Sequence, residues 1–162
     1  MALAQGDALP EATLIEMGAE GPAPVSLADK TKGRKVAIFA LPGAYTGTCT
    51  TSHVPSFMRT KDQFAAKGVD EVICISVNDP FVMGAWGEST GATAAGLTFL
   101  ADPDASFTKA MGMEFTAPPV GLIDRSKRYA MIVDNGTITV LQAEENPGVC
   151  DVSGGEALLD AV

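Results

Sequence analysis

Cys49 is the residue whose surroundings best suit nucleophilic chemistry. It follows the polar loop of residues 42–48 (PGAYTGT) and stands in the first turn of a predicted helix. Unpaired backbone N–H groups and the positive end of the helix dipole stabilise a thiolate at such a position. Most free cysteines are instead small buried hydrophobes. The local pattern therefore leaves two interpretations of Cys49, a reactive thiol and a structural one.

Two loop residues have chemistry that would assist a thiolate at Cys49. Thr46 stands three residues before it, so the threonine hydroxyl can turn back toward the sulfur or a bound oxygen. Pro42 has no N–H group and a rigid ring, which suits a wall that keeps water from a nucleophile. A leaving oxygen would also need a donor, and the planar fork of an arginine is well suited to that task.

Composition limits the classes of function. The 162 residues are 46% apolar and 19% charged, with a formal net charge of −9 and no run of Lys or Arg. Nucleic-acid binding is therefore not expected, because phosphate contacts need a positive surface. No apolar stretch approaches the roughly 20 residues that span a bilayer, and the first residues do not resemble a signal peptide. We expect a cytoplasmic protein without a membrane segment.

The three cysteines, Cys49, Cys74 and Cys150, do not form a structural set. They are odd in number, widely spaced and without a CxxC pair. This spacing argues against a disulfide framework and against a structural zinc site, so no metal or cofactor is predicted. In a reducing compartment, cysteines that matter are more often catalytic than structural.

The chain reads as a single domain over residues 1–162, with alternating strands and helices. Predicted strands are residues 12–17 (an edge strand or half of a hairpin), 35–41, 72–77, 98–101, 128–133 and 137–142. Predicted helices are residues 50–67, kinked near Pro55, 81–88, 104–111 and 153–162, the last with a capping box of Ser153 and Glu156. Residues 18–24 are predicted as a loop, and 134–136 as a hairpin turn. This order favours an α/β, thioredoxin-like fold, a mixed central sheet flanked by helices on both faces with an extra N-terminal hairpin or strand.

The loop before Cys49 resembles the PxxxTxxC signature of the peroxiredoxins. The octapeptide of residues 42–49 is similar to the PGAFTPTC of their type II, or peroxiredoxin-five, subfamily, with Tyr45 in place of Phe and Gly47 in place of Pro. Residues 77–83 (VNDPFVM) with Trp86, and residues 125–130 (RSKRYA), resemble further landmarks of that subfamily. The similarity extends from about Gly6 to the C-terminus.

The resemblance implies a role for each matched residue. Cys49 would be the peroxidatic cysteine, Thr46 its hydrogen-bonding partner, Pro42 its shield and Arg128 its cationic partner. Spacing alone would have made Arg128 a surface ion-pair residue. Arg125 does not match the family arginine and is interpreted as a solvated turn charge.

Other residues near the signature are predicted to line the site. Gly47 and Thr48 belong to the loop, and Gly47 should make it looser than the usual proline would. His53 lies one helical turn after Cys49, where the family often has histidine, and could be a base or a packing residue. Trp86 and Phe57 are expected in the core or at a subunit contact.

The implied activity is thiol-dependent reduction of hydrogen peroxide and alkyl hydroperoxides through a Cys49 sulfenic acid, in antioxidant defence and redox homeostasis. The resolving thiol is left open between Cys74, Cys150 and glutathione. Recycling by glutathione and glutaredoxin is favoured over thioredoxin, and a homodimer is expected from the resemblance. Two alternatives remain, a thioredoxin-like disulfide reductase, which the missing CxxC opposes, and a redox sensor that stops at the sulfenic acid.

Overall fold

A mixed seven-stranded sheet forms the centre of the computed structural model, which describes residues 2–162. The strands are β1 (Thr13–Gly18), β2 (Gly21–Ser26), β3 (Lys35–Leu41), β4 (Glu71–Ser76), β5 (Thr98–Ala101), β6 (Glu114–Ala117), β7 (Leu122–Ser126), β8 (Tyr129–Asp134) and β9 (Thr137–Ala143). The α-helices are α1 (Leu27–Thr31), α2 (Val54–Ala66), α3 (Pro80–Ser89), α4 (Ser106–Ala110) and α5 (Gly155–Asp160). The order in the main sheet is β2-β1-β5-β4-β3-β8-β9, with β3 parallel to β4 and β4 parallel to β5. No helix within residues 2–162 is long and apolar enough to cross a membrane.

Both faces of the sheet are buried, as the continuous apolar runs of residues 35–41 and 72–77 predict. One face packs against α2, α3 and α5, through residues such as Phe39, Phe57 and Trp86. The opposite face packs against α1 and α4, through residues such as Ile38 and Phe107. The predicted mixed sheet with helices on both faces is confirmed.

The N-terminal hairpin was predicted only in part. β1 pairs with β2 across a tight turn, so the interpretation of residues 18–24 as a loop is wrong. The loop was predicted because of Pro22 and Pro24, since proline has no N–H to donate to a neighbouring strand and is rare within sheets. β2 lies at the edge, and both prolines take the positions between hydrogen-bonded pairs, where the missing N–H would point away from β1.

Several predicted elements are confirmed with small changes. The helix after β4 spans Pro80–Ser89, and Asp79 caps it by accepting from the N–H of Val82 at 2.8 Å. The predicted hairpin at residues 134–136 joins β8 and β9, with Asn135 and Gly136 both in the left-handed region. The short helix α1 and the two-stranded sheet of β6 and β7 were not predicted.

The last helix is shorter than its capping-box pattern predicted. α5 spans Gly155–Asp160 and has no side-chain cap. The Ser153 hydroxyl instead donates to Glu144, and Glu156 pairs with Arg59 on α2. The capping-box interpretation is wrong because both side chains find partners distant in sequence.

The helix after the signature loop begins with a π-helical turn, Cys49–His53, which runs directly into α2. Pro55 has no N–H group with which to continue a regular α-helical ladder into that turn. The N–H of Val54 donates to the carbonyl of Cys49, five residues back, which is the wider π spacing. The predicted kink is thus a change in helix type at Val54, one residue before the proline.

Candidate active site

The signature loop starts where β3 ends and is fixed to the neighbouring strand. Asn78, just after β4, accepts a hydrogen bond from the N–H of Ala44 at 2.9 Å and one from the Ser76 hydroxyl at 2.6 Å. Tyr45 adopts a left-handed conformation with φ of 66°. The loop therefore makes a tight turn at the carboxyl end of β3 and leads into the π-helical turn.

Cys49 is the first residue of the π-helical turn and is fully buried. The Nη2 of Arg128 donates to its Sγ across 3.1 Å. Arg128 immediately precedes β8, which pairs with β3, so the sheet brings together two residues that are 79 positions apart. The predicted proximity of thiol and guanidinium is present in the structure.

The guanidinium of Arg128 is 1% exposed, and each of its nitrogens meets an acceptor. Besides Cys49, it donates from Nη1 to His53 Nδ1 at 2.9 Å and from Nε to the Pro147 carbonyl at 3.0 Å. None of the ion pairs among residues 2–162 involves Arg128. The three partners of this buried cation are thus the Cys49 sulfur, an imidazole nitrogen and a backbone carbonyl.

His53 is buried one turn below the thiol, with both ring nitrogens engaged. Arginine can only donate, so Nδ1 must accept and the ring proton lies on Nε2. Nε2 then donates to the Ser153 carbonyl at 2.9 Å. Burial, followed by the charge of Arg128, lowers the pKa of His53 to about 3. The neutral ring has no free nitrogen to take a proton from Cys49, which favours the predicted packing role over the predicted base.

A cavity of about 420 Å³ lies over the arginine. Three segments surround it, the signature loop, the β6–β7 hairpin and the loop after β9. Its lining comprises Pro42, Thr46, Gly47, Thr48, Phe115, Ala117, Val120, Leu122, Arg128, Asn146, Pro147 and Gly148. Four of the predicted loop residues thus border one cavity with the predicted arginine.

Thr46 is placed as predicted, but its hydroxyl proton is directed elsewhere. The Oγ1 donates to the Gly43 carbonyl at 2.7 Å, and the lone pairs of the oxygen remain to accept. The structure contains no hydrogen bond between Thr46 and Cys49 among residues 2–162. Thr46 is therefore an acceptor at the cavity wall in this conformation rather than a donor to the sulfur.

Arg125 is not the solvated charge that the sequence suggested. It lies on β7, is partly buried, and its Nη1 donates to the carbonyl of Pro42 at 3.1 Å. A Cβ at Gly43 would clash with the same nitrogen, so any side chain there would displace the end of the arginine from its present position. The earlier interpretation is wrong because the β6–β7 hairpin, which was not predicted, carries Arg125 to the signature loop.

The other two cysteines lie in different surroundings. Cys74 is fully buried on β4 in the same hydrophobic cluster as Cys49, and burial raises its pKa well above the ordinary value. Cys150 is partly buried beside a cavity of about 510 Å³ that also contacts the π-helical turn, and burial likewise raises its pKa. All three cysteines are free thiols.

Sequence reasoning missed the segment between β9 and α5. Its backbone carbonyls accept from three site residues, with Pro147 facing Arg128, Gly148 facing the Thr48 hydroxyl at 2.8 Å, and Ser153 facing His53. Backbone acceptors leave no signature in side-chain types, so spacing could not reveal them. Within residues 2–162, no three His, Cys, Asp or Glu side chains are grouped so as to hold a metal ion.

Comparison with known proteins agrees with this geometry. The sequence profile of the Redoxin family matches residues 4–159. Two rice proteins, Peroxiredoxin-2E-2 (chloroplastic) and Peroxiredoxin-2C, are 43% and 42% identical to the chain; each alignment covers 99% of the chain, and 72% and 98% of the relative. The crystal structure of reduced Prx3 from Vibrio vulnificus in complex with H2O2 superimposes with a TM-score of 0.91 at 46% identity, covering 98% of both chains. These similarities confirm the thioredoxin-like fold.

Proposed function

The chain belongs to the peroxiredoxins, thiol peroxidases of the Redoxin family, and from that premise we propose that Cys49 is its peroxidatic residue. The observation that carries the proposal is the 3.1 Å contact between the Cys49 sulfur and Arg128 Nη2. A sulfur buried among apolar side chains would be an inert thiol. The adjoining guanidinium and the helix end supply the positive field that a nucleophilic thiolate needs.

The proposed step is displacement at the peroxide bond. The Cys49 thiolate attacks one oxygen of a hydroperoxide, the S–O bond forms as the O–O bond breaks, and the electron pair leaves on the second oxygen as hydroxide or alkoxide. The cysteine becomes a sulfenic acid, and a proton from solvent neutralises the leaving group. Arg128 stabilises the charge as it moves from sulfur to oxygen, because its Nη2 already faces the reacting atom.

The cavity walls support roles for the two predicted loop residues. Thr46 Oγ1 donates to Gly43, so its lone pairs are free to accept the O–H of a bound hydroperoxide. Pro42 covers the cavity beside Arg128 without adding a backbone donor. We infer that Thr46 orients the substrate and that Pro42 excludes water. Both hydrogen peroxide and alkyl hydroperoxides remain as proposed substrates.

The test of the nucleophile uses a matched pair of substitutions. Cys49→Ser should abolish consumption of hydrogen peroxide, whereas Cys74→Ser, at an equally buried thiol in the same cluster, should leave the first oxidation unchanged. A peroxide electrode with excess dithiothreitol measures both variants. Peroxidase activity in Cys49→Ser would overturn the assignment.

Recycling by glutathione and glutaredoxin, in preference to thioredoxin, is a further part of the proposal. Cys74 lies within a central strand and Cys150 is partly buried, so pairing either with the buried Cys49 would need local opening of the fold. A small external thiol needs only the turn of residues 49–53 to open. Gly47, which stands where the family usually has proline, gives the backbone more conformational freedom just before this turn and so supports such an opening.

Mass spectrometry of the oxidised protein, alkylated without reductant, distinguishes these routes. A mixed disulfide of Cys49 with added glutathione, and none between protein cysteines, is the expected result. A disulfide between Cys49 and Cys74 or Cys150 would instead favour thioredoxin as the reductant. A single oxidation without turnover, when glutathione and glutaredoxin are both present, would favour the sensor alternative.

Assembly and location complete the proposal. Four large apolar side chains more than half exposed, Tyr45, Phe81, Val120 and Ile123, support the expected homodimer. Light scattering of the purified chain would test it. The type II assignment is supported by the similarity to plant Peroxiredoxin-2 proteins, and the cytoplasmic location stays a prediction for cell fractionation.

A further inference from the structure

The segment of residues 145–153 provides acceptors to the site, although it contains no helix or strand. The Pro147 carbonyl accepts a hydrogen bond from Arg128 Nε. The Gly148 carbonyl accepts one from the Thr48 hydroxyl, and the Ser153 carbonyl accepts one from His53 Nε2. The direction of the guanidinium, and therefore its 3.1 Å contact with sulfur, depends on where this segment lies. Something must hold an irregular segment in one position against its conformational freedom.

Glu144 is the side chain that holds it. A single oxygen, Oε2, accepts from the N–H of Asp151 at 2.7 Å, from the N–H of Ser153 at 2.8 Å and from the Ser153 hydroxyl at 2.6 Å. The far end of the segment is thereby folded back onto its beginning. The backbone N–H of Glu144 also donates to the Arg128 carbonyl at 2.9 Å, so this residue is tied to the arginine from both sides.

The charge of Glu144 suits this role. Burial opposes ionisation, but the hydrogen bonds from Ser153 and Asp151 outweigh it, and together with the charge of Arg128 they lower the pKa of the carboxyl below its usual value. Hydrogen bonds to a carboxylate are stronger than those to a neutral acceptor, so the charged form holds the segment more firmly. Glu144 is 9% exposed, so water competes little for these donors.

We propose that Glu144 is a positioning residue for peroxide reduction, acting through residues 145–153 on Arg128 and His53. This proposal depends on the proposed role of Arg128. It assigns no contact with substrate to Glu144. It differs from a purely structural role because removal of the carboxylate should displace the carbonyls at Pro147 and Ser153, which leaves the guanidinium free to turn away from Cys49.

Glu71 offers a matched control. It is also a largely buried carboxylate with three hydrogen-bond partners, the side chains of Lys30, Arg34 and Thr98. It lies at the amino end of β4, whereas the site lies beyond the carboxyl end of the adjoining, parallel β3. Glu71→Ala should therefore destabilise the fold without altering the reaction of folded molecules.

The experiment measures the second-order rate constant for Cys49 oxidation by hydrogen peroxide in single turnover. Glu144→Ala should lower it about tenfold, a loss comparable to that of one strong hydrogen bond to a charged group. Glu144→Gln keeps an acceptor oxygen and should recover most of the rate. Ser153→Ala removes one of the three donors, and we expect a smaller loss in the same direction; this milder variant decides the question if Glu144→Ala does not fold.

Double substitution provides the readout that a structural role would not change. If Glu144 acts through Arg128, adding Glu144→Ala to Arg128→Ala should cause no further loss of rate. A wild-type rate in Glu144→Ala, an equal loss in Glu71→Ala, or losses that multiply in the double variant would overturn the proposal. These outcomes are separate from failure of the proposed function, which Cys49→Ser reports.

Discussion

Cys49 and Cys74 are equally buried in one hydrophobic cluster, but the regions that hold them differ in how they treat polar groups. At the π-helical turn, the thiol, the imidazole and the guanidinium all have partners. Inside the sheet, Cys74 and Tyr129 belong to the hydrophobic clusters on opposite faces, and the tyrosine hydroxyl has no hydrogen-bond partner among residues 2–162. Equal burial therefore does not give the two thiols equal surroundings, because Cys49 has a hydrogen-bond donor from a guanidinium and Cys74 lies on a strand inside the hydrophobic cluster.

The largest expected effect comes from removing the partner that distinguishes the two regions. Arg128→Ala should slow oxidation of Cys49 by about 100- to 1,000-fold, the range seen when a donor to a developing oxyanion is lost. Stopped-flow fluorescence of Trp86, the single tryptophan, can follow the reaction because its Nε1 donates to Thr50, next to Cys49.

Arg125→Ala is the matched control for that experiment. Among residues 2–162, the hydrogen bond of the Arg125 side chain goes to the Pro42 carbonyl and not to Cys49, so its loss should loosen the loop and cost no more than about tenfold. An equal loss in both variants would mean that total positive charge, rather than contact with sulfur, determines the rate.

The second expectation compares the two thiols directly. In a Cys150→Ser background at pH 7, iodoacetamide should alkylate Cys49 about 100-fold faster than Cys74, because only the thiolate reacts and burial raises the pKa of Cys74 well above its usual value. Peptide mass spectrometry at timed intervals measures both rates. In denaturant the two alkylation rates should become equal. Equal rates in the folded protein would contradict the claim that the surroundings of Cys49 and Cys74 make them differ in reactivity.

The third expectation concerns how the free energy of unfolding depends on pH, because His53 is buried in its neutral form. Its folded pKa of about 3 lies below the ordinary 6.5, so the unfolded chain binds more protons between these values and stability falls as pH falls. At about 1.4 kcal/mol per pH unit, the loss from pH 6.5 to 4.5 should be about 2–3 kcal/mol. Urea denaturation at several pH values measures it. The slope should be much shallower in His53→Gln, and an unchanged slope would show that another group is responsible.

The smallest expected effect concerns the region without partners. Burial, followed by the charge of Asp102, raises the pKa of Tyr129, and its hydroxyl meets no acceptor within residues 2–162. Tyr129→Phe should therefore raise the free energy of unfolding by up to about 1 kcal/mol. A loss of stability in urea denaturation would reveal that the hydroxyl has a partner after all. Ser76→Ala, which removes a hydroxyl that donates to Asn78, should by contrast lower the free energy of unfolding.

Local sequence patterns predicted the strands that are buried on both faces and the turn whose conformation its own residues determine. The apolar runs of β3, β4 and β5 and the turn at Asn135 were found within a residue or two. The proximity of Cys49 and Arg128 was inferred from the resemblance, because no spacing rule connects residues 79 positions apart.

The features that escaped prediction depend on distant partners. The β6–β7 hairpin has short strands of four and five residues that are mostly exposed or half-buried, and its role becomes clear only where Arg125 meets the signature loop. Ser153 resembled a helix cap, but its hydroxyl is turned toward Glu144, to which it donates. Competition between a local and a distant partner cannot be resolved before the fold brings the distant one near.

The two prolines of β2 have a consequence for how copies of the chain can associate. They remove donors from the outer border of the sheet, at the positions that would otherwise offer hydrogen to an incoming strand. A second molecule cannot extend the ladder there into a continuous intermolecular sheet. That border therefore protects against fibrous aggregation when the protein is concentrated.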